Sequence, residues 1–171
     1  GGTGGHIYPA LAIATELKNR VETNAILYVG KKGSLEEELV TKAGFDFSPI
    51  HVEGLPRKAL NKQTITSAFA LLRGLRDSKK IIKNFKPDVV IGTGGYVCAP
   101  IVYKAQKNNI KTVVQEQNAF PGKTNRFLAK NADLVAINFN EAKEYLNSKN
   151  IIFTGNPIRN DFKVIDKEKA A

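Results

Sequence analysis

The chain has 171 residues, of which 42% are hydrophobic and 25% charged, a composition typical of one globular domain. It excludes a collagen-like, low-complexity or disulfide-stapled chain. The single cysteine, Cys98, cannot form an internal disulfide and favours a reducing, cytoplasmic setting, while no Cys/His cluster predicts a metal site. The formal net charge of +10 points to an anionic partner: nucleic acid, a membrane surface or a phosphorylated substrate.

The first half of the chain predicts helices alternating with short buried strands. Pro9 suits the first turn of a helix, and Ser34 before three glutamates is typical of a helix start. In chain order, we expect a helix from Pro9 to about Asn19, a strand over 24–29, a helix over 34–43, a strand over 47–52 and a helix over about 66–84.

The second half repeats this alternation. In order, we expect a strand over 88–92, a helix around 97–107, a strand over 111–115, a helix starting near Pro121, a strand over 134–137, a helix from about Asn140 and a strand over 151–153. Short apolar strands that alternate with helices are typical of a parallel sheet covered on both faces. The sequence therefore predicts a Rossmann-like, doubly wound α/β fold, in which ligands bind at the carboxyl ends of the strands.

Two glycine-rich segments lie where such ligands bind. The first, Gly1-Gly-Thr-Gly-Gly-His6, precedes a helix, and Gly92-Thr-Gly-Gly-Tyr-Val97 follows a strand. Glycines let the backbone approach a ligand closely, and helix N-termini attract anions, so together they predict a ligand with an extended anionic part. The first segment completes neither the dinucleotide fingerprint nor a P-loop. Because Lys31 and Lys32 follow the strand ending at Val29, NAD is disfavoured, whereas NADP stays open.

Polar side chains add candidates at the same edge. Gln115-Glu-Gln-Asn118 closes a predicted strand, and its amides and carboxylate suit sugar hydroxyls. The sequence is equally consistent with a structural role, in which Asn118 forms a turn and Glu116 is exposed to solvent. His6 can act as a general base, bind a phosphate or only order the first helical turn, and the sequence does not decide between these roles.

A basic segment carries most of the net charge. Residues 57–86 hold nine Lys and Arg residues against Asp77 alone, so 9 − 1 gives +8 of the total +10. The cations alternate with apolar residues, which is typical of a helix that lies on an anionic membrane surface, but also of a helix packed on a sheet with a solvated basic face. Its candidate membrane-surface residues are Arg73, Arg76, Lys79, Lys80 and Lys83.

Four motifs together resemble the MurG family of bacterial N-acetylglucosaminyltransferases. They are 1–12, 92–97, 115–118 with 121–125, and Thr154-Gly-Asn-Pro-Ile-Arg159, in this order. The resemblance implies the N-terminal, acceptor-side half of a GT-B glycosyltransferase, with residues 1–160 as a Rossmann-like domain and 161–171 as the start of an interdomain linker. It also implies that the first strand and the donor-binding C-terminal domain are missing, so that this chain alone is inactive.

The resemblance further implies an inverting transfer of N-acetylglucosamine from UDP-GlcNAc to an undecaprenyl-pyrophosphoryl muramyl-pentapeptide, without metal or cofactor. The enzyme would be peripheral, on the cytoplasmic face of the inner membrane, and would bind no nucleic acid. By motif position, the donor would contact Thr3, Gly4, Gly5, Asn118 and Arg159; the acceptor would contact Gly94, Gly95, Tyr96 and Asn125; and His6, as general base, and Glu116 would lie in the catalytic cleft.

Two other classes of protein remain as alternatives. An NADP-dependent oxidoreductase domain would use the glycine turns, although the third glycine of its fingerprint is replaced by Ile7. A basic nucleic-acid-binding module would use the charge, although no recognition motif or stacking aromatics accompany it.

Overall fold

Six parallel strands and the helices between them form the fold in the computed structural model, which describes residues 4–54 and 62–158, without the side chains of 62–65 and 68. The elements are α1 (Gly4–Arg20), β1 (Leu27–Lys31), α2 (Leu35–Lys42), β2 (Asp46–Ile50), α3 (Lys62–Phe85), β3 (Val89–Gly92), α4 (Gly95–Lys107), β4 (Lys111–Glu116), α5 (Lys123–Ala129), β5 (Leu134–Ile137), a 3₁₀ helix (Asn140–Tyr145) and β6 (Ile151–Phe153).

The strands form two parallel sheets. One pairs β1 with β2, and the other has the order β3-β4-β5-β6. Since all strand pairs are parallel, Gly92, Glu116 and Ile137 end their strands at one edge of the larger sheet. The predicted parallel α/β fold is confirmed.

The larger core lies between the four-stranded sheet and the helices α3, α4 and α5. Its fully buried side chains come from both layers and include Val102, Val114, Leu128, Val135 and Ile137. A second cluster packs α1 and α2 on the smaller sheet through Ile7, Leu11 and Val40. An apolar groove of about 200 Å³ separates β1 from β3.

The first helix begins earlier than the sequence predicts. It starts at Gly4, so Pro9 lies inside it and is buried. A proline lacks the N–H that would bond the carbonyl four residues back, which here belongs to Gly5, so the helix lacks that one hydrogen bond and continues past it. Helix α4 has the same design, since it starts at Gly95 and carries Pro100 five residues later.

The helix predicted from Asn140 is a six-residue 3₁₀ helix. It buries only Ala142, and it is followed by Leu146, which is buried in the larger core. Short runs of this kind are typical connectors, because their hydrogen bonds have poorer geometry than those of an α-helix.

No helix within residues 4–54 and 62–158 has the length and hydropathy needed to cross a membrane.

Helix α3 is held to the end of β2 by hydrogen bonds between Asp77 and His51. The carboxylate of Asp77 accepts hydrogen bonds from the backbone N–H of His51 at 3.0 Å and from its ring Nδ1 at 2.7 Å. Burial opposes ionisation of Asp77, but the hydrogen bonds from His51 outweigh it and hold the pKa of this carboxyl below its usual range.

We expect Asp77→Asn to lower the free energy of unfolding at neutral pH by about 0.2–1 kcal/mol, as for a partly exposed pair. Because the pKa is lowered in the folded state, the contribution is present above the unfolded pKa of about 3.9 and is lost as the pH falls through the folded value. Urea unfolding of both proteins at neutral and acidic pH measures the difference. Asp88→Asn, at an exposed carboxylate before β3, is the control. An Asp77→Asn effect that does not shrink in acid would contradict the assignment.

Candidate active site

Residues 4–6 of the first glycine-rich segment meet the second segment at the carboxyl edge of the larger sheet. His6, in the first turn of α1, and Thr93, between β3 and α4, exchange hydrogen bonds: the Thr93 hydroxyl donates to the His6 carbonyl at 2.8 Å, and His6 Nδ1 lies 2.9 Å from the Thr93 carbonyl oxygen. The first turns of the two helices that follow glycine-rich segments therefore adjoin, with an imidazole between them.

Gly94 makes this junction possible. Its φ of 99° with ψ of −174° lies in a region that is essentially restricted to glycine. A Cβ atom there would lie 3.0 Å from the His6 ring and 3.1 Å from the amide nitrogen of Asn125. Glycine is thus required both by the turn and by the two side chains that cover it.

Glu116 ends β4 as a buried carboxylate with 1% of its surface exposed. Within the described part of the chain, it accepts four hydrogen bonds: from the Asn118 backbone and side chain, both at 2.9 Å, from the Gly122 backbone at 3.2 Å and from the Asn125 amide at 2.8 Å. These donors compensate its desolvation. They also hold the 117–122 segment and Asn125 in place.

Asn125 lies below the junction, on α5. Its amide donates to Glu116 and to the Gln115 carbonyl, which fixes the orientation of the side chain. Its Oδ1 atom is buried and has no hydrogen-bond partner among the described residues. A buried acceptor without a partner is unusual and is expected to be satisfied by a ligand or water.

Gln117 connects this network to the histidine. Its Oε1 lies 3.0 Å from His6 Nδ1, while its Nε2 donates to the Thr93 carbonyl at 2.8 Å and to the Gln115 side-chain oxygen. The sequence predicts no role for Thr93, and it predicts Gln117 only as one of the strand-end amides that suit sugar hydroxyls. Thr93 and Gln117 are 87 and 111 residues from His6 in the sequence, and a local sequence pattern cannot predict contacts at such a separation.

The other predicted site residues divide into four groups. Gly4 and Gly5 lie in the first turn of α1 and Gly95 in that of α4, so they flank the His6–Thr93 junction. Tyr96 instead packs on Ile50, Val52 and Val97 near Gly54, at the end of β2. Asn118 is exposed beside Glu116. Thr3 and Arg159 lie outside the described residues.

The described residues 4–54 and 62–158 contain no cluster of three or more His, Cys, Asp or Glu side chains that could hold a metal ion. The thiol of Cys98, near the junction on α4, is buried, and burial raises its pKa. A buried neutral thiol is a poor nucleophile.

Glycine turns that adjoin at the carboxyl edge of a parallel sheet indicate a ligand-binding α/β domain, and comparison with known proteins defines its class. Residues 1–137 match the model described as the glycosyltransferase family 28 N-terminal domain, so the chain belongs to this family. This confirms the class of protein to which the four motifs pointed.

Two curated relatives of this chain share the same protein name. The chain is 51% identical to the UDP-N-acetylglucosamine–N-acetylmuramyl-(pentapeptide) pyrophosphoryl-undecaprenol N-acetylglucosamine transferase of Finegoldia magna, over 99% of this chain and 46% of the relative. It is 46% identical to the transferase of the same name from Alkaliphilus oremlandii, over 100% of this chain and 47% of the relative. The chain thus spans about half the length of these curated relatives.

A solved structure agrees with them. The crystal structure of Acinetobacter baumannii MurG is similar with a TM-score of 0.74 at 26% identity, covering 94% of this chain and 44% of that chain. The resemblance to the MurG family and the predicted fold, the Rossmann-like N-terminal half of a GT-B glycosyltransferase, are therefore confirmed.

We expect Gly94→Ala to lower the free energy of unfolding by about 1–3 kcal/mol, because a residue with a Cβ is strained at this positive φ and the Cβ pushes on His6 and Asn125. Urea unfolding measures it. Gly122→Ala is the control, since Gly122 has a φ of −63° and open space around its Cβ position. That variant should change stability by less than about 1 kcal/mol. Equal effects of the two substitutions would contradict the steric argument.

Proposed function

We propose that this chain is the acceptor-side half of an N-acetylglucosaminyltransferase, which moves N-acetylglucosamine from UDP-GlcNAc to the muramyl sugar of undecaprenyl-pyrophosphoryl-MurNAc-pentapeptide in peptidoglycan synthesis. The observation that carries the proposal is the His6–Thr93 junction, which holds an imidazole between two helix N-termini at the ligand-binding edge of the sheet. Membership of a glycosyltransferase family favours sugar transfer over the dinucleotide and nucleic-acid alternatives.

The acceptor's pyrophosphate is the anion that suits the two glycine turns. Helices of 17 and 13 residues begin at Gly4 and Gly95, and each N-terminus carries free N–H groups and about half a positive charge. We assign Gly94, Gly95, Tyr96 and Asn125 to the acceptor side. The unpartnered Oδ1 of Asn125 is suited to accept a hydrogen bond from a sugar hydroxyl.

In this proposal His6 is the general base. It takes the proton of the acceptor's C4 hydroxyl while that oxygen forms a bond to the anomeric carbon of N-acetylglucosamine. The bond from this carbon to the diphosphate breaks on the opposite face, which inverts the configuration, and the electron pair leaves with UDP. Helix N-termini stabilise the charge on the diphosphate. We assign Gly4, Gly5 and Asn118 to the donor, together with Thr3 and Arg159.

Glu116 acts in the cleft by positioning. Its two oxygens are already engaged by four donors within the described residues, so it holds Asn118 and Asn125 toward the substrates rather than exchanging a proton itself.

We expect His6→Ala to reduce turnover at saturating substrates by at least about tenfold in a full-length protein that carries this chain with a donor domain, since general base catalysis contributes about 10²–10⁴-fold. A radiolabelled sugar-transfer assay with the lipid-linked acceptor measures it. His51→Ala, at the exposed second histidine, is the matched control. A loss well below tenfold would remove the base assignment.

Helix α3 supports peripheral attachment to the anionic inner face of the membrane. Its inward side buries small and aliphatic residues, namely Ser67, Gly74, Ser78 and Ile82. At 3.6 residues per turn, the outward side groups seven exposed residues within about 120° of arc: Phe69, Leu72, Arg73, Arg76, Lys79, Lys80 and Lys83. Phe69 and Leu72, 62% and 55% exposed, precede the cations along this face.

This order of residues fits a lipid-linked acceptor. The apolar residues lie in the half of α3 that starts near the end of β2, since Ser67 donates to the Gly54 carbonyl. Apolar side chains inserted between lipid tails and cations among anionic headgroups both stabilise binding to a surface.

We expect replacing Lys79, Lys80 and Lys83 by Gln to weaken binding to anionic vesicles roughly hundredfold at low salt, since each cation near the surface contributes about 1 kcal/mol. Vesicle sedimentation measures it. Replacing the exposed Lys42, Lys143 and Lys149 removes the same charge away from α3 and should have a much smaller effect. Equal losses would indicate attraction by net charge alone.

We also propose residues 1–160 as one domain and 161–171 as the start of a linker to a donor domain. The groove between β1 and β3 supports a further central strand, because Val29 and Ile91 line it from the two sides. A strand parallel to both neighbours would join the two sheets into one.

A further inference from the structure

We propose that Gln117 is a positioning residue that holds the His6 imidazole, together with the Thr93 carbonyl, in the tautomer with its proton on Nδ1. The lone pair is then on Nε2, where it can take the proton of the attacking hydroxyl. The inference rests on the proposed function of His6 as general base.

The chemical types of the partners determine the tautomer. His6 Nδ1 lies 2.9 Å from the Thr93 carbonyl oxygen and 3.0 Å from Gln117 Oε1. Both atoms are acceptors, so only a protonated Nδ1 satisfies them, and in the neutral ring Nε2 then carries no proton. Among the described residues, none is hydrogen-bonded to Nε2.

The orientation of the Gln117 amide is determined independently of the histidine. Its Nε2 lies within hydrogen-bond distance of three acceptors: the Thr93 carbonyl at 2.8 Å, the Gln115 carbonyl at 3.3 Å and the Gln115 side-chain oxygen. The nitrogen must face these oxygens, so Oε1 faces His6. The Gln117 carbonyl accepts from Asn138 at 3.1 Å, which ties the backbone to the end of β5.

This arrangement suits a base in both of its states. When Nε2 takes the proton from the hydroxyl, Nδ1 keeps its own, so both hydrogen bonds persist and strengthen as the ring becomes positively charged. The amide oxygen occupies the place that a carboxylate takes in a Ser-His-Asp triad, where the third group orients the ring. It does so without adding a full negative charge next to the acceptor's pyrophosphate.

Nitrogen-15 NMR of the histidine rings tests the inference directly in this chain, which has only two histidines. At a pH where both rings are neutral, His6 should show a protonated Nδ1 and an unprotonated Nε2. In Gln117→Met, which removes the acceptor but keeps side-chain length, the ratio of the Nδ1–H to the Nε2–H tautomer should fall about two- to tenfold, as for the loss of one hydrogen bond.

Two internal controls accompany this measurement. The His51 signals, set by Asp77, should not move, and their retention shows that the variant is folded. Gln106→Met removes a half-buried glutamine that donates to the Leu128 carbonyl, and it should leave both histidines unchanged. A wild-type His6 protonated on Nε2 would overturn the proposal without any variant. An unchanged ratio in Gln117→Met would assign the role to Thr93 alone and overturn the part of Gln117.

Kinetics in a full-length protein separate this inference from the proposed function. Gln117→Met should lower kcat about tenfold while the KM for UDP-GlcNAc changes less than about twofold, and it should cause no further loss in a His6→Ala background, because the two residues act as a unit. Full activity of His6→Ala would refute the base assignment itself. A tenfold loss for His6→Ala beside full activity of Gln117→Met would refute only the positioning role.

Discussion

The reciprocal pair of hydrogen bonds between His6 and Thr93 is the constraint on which the site depends. It joins the first turn of the first helix to the turn after β3, two segments that are 87 residues apart in the chain. The close approach requires glycine at position 94, since any Cβ there would meet the imidazole and the Asn125 amide. The glycines of the second segment thus serve the packing of the site as much as the approach of a ligand.

Below this junction, a buried polar layer takes the place of an apolar core. The Glu116 carboxylate, the Asn125 amide and the Gln115–Gln117 pair are hydrogen-bonded to one another, which offsets the cost of burying a charge and several amides. Among the described residues, the buried Oδ1 of Asn125 and the buried Nε2 of Gln115 have no hydrogen-bond partner, and no residue is hydrogen-bonded to Nε2 of His6. A rigid network with polar atoms left for other groups is well suited to orient an incoming hydroxyl.

Helix α3 packs on the rest of the fold with one side and presents cations and exposed apolar residues on the other. Small inward residues such as Gly74 and Ser78 let it pack closely, with Gly74 directly against the His51 carbonyl. The residues on its outward side therefore do not contribute to the core, and they can be cations and exposed apolar residues. The Asp77–His51 pair anchors the middle of the helix, so that this outward face is held in a defined orientation relative to the site.

By itself, the sequence determined the alternation of strands and helices, the parallel sheet, the glycine turns at its ligand-binding edge and the basic face of α3, because periodicity and turn chemistry act over a few residues. The start of α1 at Gly4, ahead of Pro9, was missed since local rules favour proline in a first turn, whereas here the helix continues past it. Only the tertiary structure decided that Glu116 is buried and saturated, that Tyr96 packs toward β2, and that Gln117 meets His6. Those contacts arise from strand register and helix packing, which bring together residues up to 111 positions apart, and no local pattern encodes them.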